Sequence, residues 1–255
     1  MKQRFFSDLH ALGIEPHDTV MIHTSLRSLG KIDGGAATVM SWLMEYIKDE
    51  GTLVFPAFSY NYVTRENPVF DIRETKSNIG YLPEFVRTEV KAAKRSMHAT
   101  HSLSVIGKRA DELIKDHHLD LTPVGKNSPI MKLADIGGKI LFIGCPVSHA
   151  TIMHGVEELT VPPYLYENEP IEYTLIDEEG KSFKQTAKRH NFVLDGVLYL
   201  QRYDKLTEIL SDSEKTHGKL LEADCWCLSA AAIKKRGEEM LRQDPFFFVE
   251  PKNRT

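Results

Sequence analysis

Two side chains with complementary proton chemistry, His154 and Glu157, stand three residues apart in the segment TIMHGVEELT at 151–160. On a helix that spacing places both on one face. An imidazole titrates near neutrality, and a carboxylate can orient its ring and offset the charge it gains. The pair therefore suits general-base chemistry. Spacing alone does not separate this use from a surface contact worth about a few tenths of a kcal/mol. The His-Glu-x-x-His pattern of zinc proteases is absent.

The elements that must position the pair are legible around it. Ile140-Leu141-Phe142-Ile143 is a short apolar run ended by Gly144, as in a strand buried on both faces. The polar loop Pro146–Ala150 follows, and Thr151 opens a helical segment. Cys145, at the strand end, could act as a thiol nucleophile with His154, although buried Cys is more often a small core residue. A metal set of His149, His154 and Glu157 is conceivable on paper; no metal is expected.

A second candidate lies near the start of the chain. The strand Thr19–His23 leads into Thr24-Ser25-Leu26-Arg27-Ser28-Leu29-Gly30 and then Asp33-Gly34-Gly35. Val39, Trp42, Leu43, Tyr46 and Ile47 mark a helix, and Thr52–Pro56 is the next strand. Hydroxyls and backbone N–H groups before a helix N-terminus suit a phosphate. The stretch matches neither the dinucleotide fingerprint nor the P-loop. His98 and His101 flank the start of a strand, Leu103–Ile106, and are open to a site-lining or a structural role. His117-His118 closes a helix begun at Arg109, where a cation suits the dipole.

Strand, loop, helix and strand form a βαβ unit, which argues for an α/β fold with a central, mostly parallel sheet flanked by helices. The polar, aromatic stretch 59–79 is expected to be a loop over a site. Leu82–Val90 reads as a helix, and Ser128-Pro129 opens another that reaches Ala134. Ile171–Ile176 and Ser182–Thr186 flank Asp177-Glu178-Glu179-Gly180, a hairpin signal, so an antiparallel β appendage is expected in the C-terminal third. Leu198–Leu210 is expected to be helical, Ala223–Leu228 a strand, and Ser229 the cap of a final helix. One domain is expected, with a core of about 1–165 and 217–250 and an appendage of about 166–216.

Composition excludes several classes. The 255 residues carry a formal charge of −4, with 42% hydrophobic and 27% charged residues, which is ordinary for a globular protein and gives no footprint for nucleic acid. No apolar run approaches a membrane span, and the polar start does not read as a secretory signal. Three cysteines suggest no disulfide framework, so the cytoplasm is the expected compartment.

Six ordered pieces carry a resemblance: HTSLRSLG at 23–30 with GG at 34–35, EGTLVFPAFS at 50–59, RSMHATHS at 95–102, VGKNSPIMKL at 124–133, KILFIGC at 139–145 and TIMHGVEELTVPPY at 151–164. Together they resemble the aminoglycoside 3-N-acetyltransferase family of CoA-dependent acyltransferases, and the tail at 217–245 has the same look. The resemblance implies transfer from acetyl-CoA or another acyl-CoA to a small-molecule amine, with His154 and Glu157 as catalytic pair. It places Thr24, Ser25, Leu26, Arg27, Ser28, Gly34, Gly35 and Ser102 with the cofactor, and His98 and Thr151 with the acceptor. The family's Arg-Ser-x-His-Pro-x-x-Ser motif falls on Arg95, Ser96, His98 and Ser102. Ala99 replaces its Pro, and Ala150 replaces an Asn often found before Thr151.

Direct attack by the amine is expected, with His154 taking its proton. Glu157 as base through a water is the converse. The donors for the thioester oxyanion and the oligomeric state are left open. For the acceptor, the basic run Lys181, Lys184, Lys188, Arg189 and His190 leans towards a nucleotide-linked amino sugar, with Lys188 and Arg189 as contacts. The alternative is an aminoglycoside held by Glu157, Glu158, Glu167 and Glu169. A non-catalytic acyl-CoA-binding module is the second alternative.

Overall fold

A computed structural model describes residues 1–252. Its seven-stranded central sheet has the order Lys215–Leu220, Ala223–Ser229, Lys139–Ile143, Thr19–Thr24, Thr52–Pro56, Leu103–Gly107 and Lys94–Arg95. The three middle strands pair in parallel, with Met21 opposite both Val54 and Ile140. The outer pairings are antiparallel. Because those antiparallel partners alternate, five of the seven strands point the same way.

The period of two along each strand explains why these runs are apolar at every position. Val20, Ile22, Leu53, Phe55, Leu141 and Ile143 pack on one face against helices Lys2–Ala11, Gly35–Ile47 and Tyr81–Glu89. Met21, Val54, Ile140 and Phe142 pack on the other against Pro129–Asp135, Ile152–Thr160 and Ala230–Gln243. The expected βαβ unit is the Gly35–Ile47 crossover. Ser128 and Ser229 cap their helices, accepting from the backbone N–H groups of Ile130 and Ala232.

The helix carrying His154 is held between its two neighbours. A methyl at Gly155 would meet Met131 Sδ at 2.3 Å and Val124 Cγ1 at 2.9 Å, so glycine lets these side chains pack onto the helix backbone. Such close packing fixes the helix against the sheet and sets the direction of its side chains.

The hairpin Ile171–Ile176 with Ser182–Ala187 forms as expected. Its sheet also takes in Val69–Asp71, in parallel, so the stretch 59–79 is not wholly loop and the appendage reaches back into the first half of the chain. The helix expected over Leu198–Leu210 is not there. Val197–Gln201 is a strand between Val193–Leu194 and Val249–Pro251, and only Leu206–Ile209 is α-helical. The apolar run reads either way by period; pairing with a distant strand decided it. The helix after Arg109 stops at Ile114, and Asp116 takes a left-handed φ of 63°. No helix among the described residues is long and apolar enough to cross a membrane.

Candidate active site

A cavity of about 480 Å³ opens at the C-terminal ends of the parallel strands, where Thr24, Pro56 and Cys145 line it. Tyr60, Asn78 and Ile79, from the stretch 59–79, line it as well. His149, Thr151 and His154 form another wall, and Gln201 and Tyr203 close it from the C-terminal third. No Asp, Glu, Lys or Arg is among the lining residues. Crevices at the carboxyl ends of parallel strands are where open α/β sheets bind ligands.

His154 and Glu157 meet on the helix Ile152–Thr160, but a third group stands between them. His154 Nδ1 is 3.6 Å from Glu157 Oε2, beyond a good hydrogen bond. The Tyr203 hydroxyl donates to that same Oε2 at 2.7 Å and lies 3.2 Å from His154 Nδ1. A hydroxyl has one proton, and the shorter contact takes it. Its lone pair therefore faces Nδ1, so Nδ1 carries a ring proton, and in the neutral tautomer Nε2 is the free acceptor. The expected orientation of the ring by Glu157 thus runs through Tyr203. Glu157 is fully buried, and Tyr164 Oη stands 3.3 Å from its Oε1. His154 retains 21% exposure on the cavity wall. Burial next to Glu157 pushes the Tyr203 hydroxyl well above its usual pKa, so it stays protonated as the relay requires.

Neutral rings surround His154. His190 and Phe192 have centroids 5.2 and 5.5 Å away, and His101 meets it edge-on at 6.2 Å. Burial lowers the pKa of both His101 and His190, the nearby His154 adding to the effect.

Of the residues expected at the cofactor and acceptor, Thr24 and Thr151 reach the cavity. The rest of the loop runs outward from Thr24: Leu26–Leu29 is a 3-10 turn, and Gly34 and Gly35 have φ of 80° and 55° at the start of the helix. Arg27 and Lys31 are exposed and make no ion pair among the described residues. A donor-rich, cationic loop leading into the cavity fits an extended ligand bearing phosphates.

Ser102 and His98 are placed elsewhere. Ser102 is buried, donating to the Ala57 carbonyl at 2.8 Å and accepting from Arg95 Nε at 2.9 Å. His98 Nδ1 accepts the N–H groups of Thr100 and His101, so Nε2 carries the proton and donates to Thr122 O at 3.1 Å. Burial lowers its pKa to about 4. Arg95 donates to the carbonyls of Ile72, Thr75 and Ala57 as well. The motif at 95–102 is thus a buried frame that shapes the covering stretch. His117 is no cation at a helix end either; it is buried, stacked on His98 at 4.9 Å, and held neutral.

The charged candidates also turn away. Lys188 Nζ sits over the Tyr166 ring at 4.8 Å, and Arg189 donates to the Tyr60 carbonyl at 2.9 Å beside Glu167. Glu158 accepts from Val124 N and Thr122, and Glu167 pairs with Arg65. Neither the basic nor the acidic set lines the cavity. Cys145 does line it, but burial pushes its thiol up to about 12. Among the described residues no group of three or more His, Cys, Asp or Glu is arranged to hold a metal ion.

Tyr203 is the residue of this arrangement that the sequence conceals. It lies 46 residues from Glu157, with no spacing to betray it, and only the fold brings it there.

Comparison with known proteins fits this geometry. The aminoglycoside N(3)-acetyltransferase VII of Streptomyces paromomycinus is 33% identical over 179 residues, 64% of this chain and 62% of that protein. The aminoglycoside N(3)-acetyltransferase III of Serratia marcescens is 32% identical over 173 residues, 62% of this chain and 64% of that one. The match thus spans less than two thirds of the length of either relative. In three dimensions the chain superposes on AAC-IIIb in its binary form with CoASH, with a TM-score of 0.81, 25% identity and 99% of both chains covered. The family pattern itself runs through residues 21–242, and the chain belongs to the aminoglycoside 3-N-acetyltransferase family.

Proposed function

We propose that the chain is a CoA-dependent N-acyltransferase that moves an acetyl or other short acyl group to a primary amine of an aminoglycoside. The observation that carries this is the Glu157–Tyr203–His154 chain, which leaves a bare imidazole nitrogen on the wall of a cavity. An amine of pKa about 8–10 is mostly ammonium at neutral pH and must lose a proton before it attacks. His154 Nε2 takes that proton, and the charge it gains is offset by Glu157 through the Tyr203 hydroxyl. Glu157 itself has no route to an amine, being fully buried with its oxygens facing Tyr203 and Tyr164. The protonated Cys145 thiol is a poor nucleophile, which favours direct attack over a covalent intermediate.

The Thr24–Gly35 loop holds the phosphate-bearing donor, with Arg27, Lys31 and the start of the Gly35–Ile47 helix supplying positive charge. The whole chain acts as one domain, since Tyr203 arises in the appendage segment yet completes the core site. The three free thiols suit a cytoplasmic enzyme. For the acceptor, the names of the relatives support an aminoglycoside. The reason to favour a nucleotide-linked sugar is gone, since Lys188 and Arg189 do not face the cavity. Thiol release from acetyl-CoA, measured with an aminoglycoside and with a nucleotide-linked amino sugar, tests the reading. Turnover is expected with the first. No turnover with any amine despite CoA binding would return the chain to a binding module.

A further inference from the structure

Of the buried frame at 95–102, His101 alone lines the cavity. Its backbone N–H is held by His98 Nδ1 at 3.0 Å, and its ring lies against Phe58 and Tyr60, with centroids 4.8 and 5.8 Å away. The tautomer follows from its neighbour. Thr100 is buried, and its hydroxyl has His101 Nδ1, at 2.9 Å, as its partner. A hydroxyl that accepted from Nδ1 would leave its own proton unmatched inside the protein, whereas one that donates leaves only lone pairs, the cheaper lack. The hydroxyl therefore donates, Nδ1 accepts and Nε2 carries the ring proton. That Nε2 meets no protein partner among the described residues, yet it stays open to solvent, unlike the sealed Nε2 of His23 and of His117. Burial, with His154 and His98 nearby, holds the His101 pKa well below its usual value, so the ring is neutral and keeps that proton. A neutral imidazole can polarise a carbonyl without giving its proton away.

The two cavity imidazoles are complementary. His154 and His101 meet edge-on with centroids 6.2 Å apart, and both line the cavity. One offers a lone pair at Nε2 and the other an N–H, each with its Nδ1 already engaged by a hydroxyl. Making an amide from a thioester needs those two functions at one carbon: an acceptor for the amine proton and a donor for the oxygen that gains charge. Rings this far apart leave room for one tetrahedral centre between two hydrogen bonds of about 2.7–3.2 Å each. Resting on the acyl-transfer reading above, we infer that His101 Nε2 donates to the thioester carbonyl oxygen and stabilises the negative charge it takes on during attack. The amine, its ammonium proton given to His154, forms the C–N bond with its lone pair as the carbonyl π pair moves onto oxygen. The oxygen then re-forms the carbonyl, the C–S bond breaks with its electron pair on sulfur, and the thiolate takes the second nitrogen proton to leave as CoASH.

The test uses acetyl-CoA labelled with carbon-13 at the thioester carbonyl and bound without acceptor. In the wild-type complex its infrared carbonyl band is expected at lower frequency than in solution. His101→Phe keeps an aromatic ring against Phe58 and Tyr60 but has no N–H, and should return the band to its solution position. His101→Gln places an amide N–H near where Nε2 stood, and should retain part of the shift. kcat should fall by about 10²- to 10³-fold in the first, as loss of one oxyanion donor does, and by less in the second. CoASH has no thioester carbonyl, so its Kd should stay within about twofold in both. Should His101→Phe not fold, His101→Asn, which keeps a partner for Thr100 but falls short of the Nε2 position, gives the same reading. A wild-type band not displaced from solution, or a folded His101→Phe that keeps the displaced band, overturns the assignment, even where amines are acetylated. A displaced band that His101→Phe restores supports it, even where no amine is turned over and the transfer reading fails.

Discussion

The helix Ile152–Thr160 and the stretch 95–102 both carry histidine and are opposite in use. Both set histidine beside polar partners, the first noticed by the spacing of His154 and Glu157 and the second by its match to a family motif. In the second, Arg95, Ser96, His98 and Ser102 end on fixed backbone or side-chain partners, and of the stretch His101 reaches the cavity. Arg95 is spent on three carbonyls and Ser102, and both nitrogens of His98 are taken. In the first, the relay consumes Nδ1 of His154 and stops, leaving Nε2 beside the cavity. A saturated network holds shape, whereas a network one partner short can act on something else.

The sharpest way to break this contrast is His154→Ala. Turnover is expected to fall by about 10²- to 10⁴-fold, the usual worth of a positioned general base, with CoA affinity and Tm nearly unchanged. A variant of near-normal kcat would move the chemistry off this helix.

Tyr203→Phe comes next. It removes the hydroxyl between Glu157 and His154 and should lower kcat by about 10- to 100-fold, as loss of a residue orienting a working imidazole does. It also strips a buried carboxylate of a partner, at roughly 1.5–3 kcal/mol. If kcat held while Tm fell, Tyr203 would be a packing residue and no relay.

Arg95→Met probes the frame. It leaves the carbonyls of Ile72 and Thr75 unpaired, while Ala57 keeps its bond from Ser102, at about 1–3 kcal/mol for each buried group, so the effect should appear as a lower Tm. Such a variant assayed well below its Tm should lose far less kcat than His154→Ala; an equal loss would put the motif in the chemistry.

Acid separates the two regions more gently. His98 has a pKa of about 4 in the fold against 6.5 unfolded, so the unfolded chain binds the proton more readily. The stability that neutral His98 contributes is whole above about pH 6.5 and is lost as pH falls towards about 4. Tm measured from pH 7 to 4 should fall through that window, and less steeply in His98→Asn. Parallel curves for the two proteins would remove His98 from the acid response.

The smallest effect is expected from Lys188→Ala. Its ammonium lies over Tyr166 outside the cavity, so kcat/KM for either acceptor should change by less than about twofold, the mark of a solvated surface charge. A selective loss with a nucleotide-linked sugar would revive the anionic acceptor.

What the sequence determined by itself was local. Apolar runs of four or five residues named the buried strands, Ser128 and Ser229 named two helix starts, and a three-residue spacing put His154 and Glu157 on one face. These signals depend on neighbours within about a turn of helix or a pleat, so they survive without a fold. Tertiary structure decided the rest. It made Val197–Gln201 a strand, because a partner at Val249–Pro251 offered a ladder that no local period reveals. It withdrew Ser102, His98, Lys188 and Arg189 from the cavity, because the partners that saturate them come from distant segments. And it carried Tyr203 across 46 residues to stand between the two side chains whose spacing first drew attention. Hydrogen-bond partners are a matter of distance in space, so the sequence could name the acid and the base but not the hydroxyl that joins them.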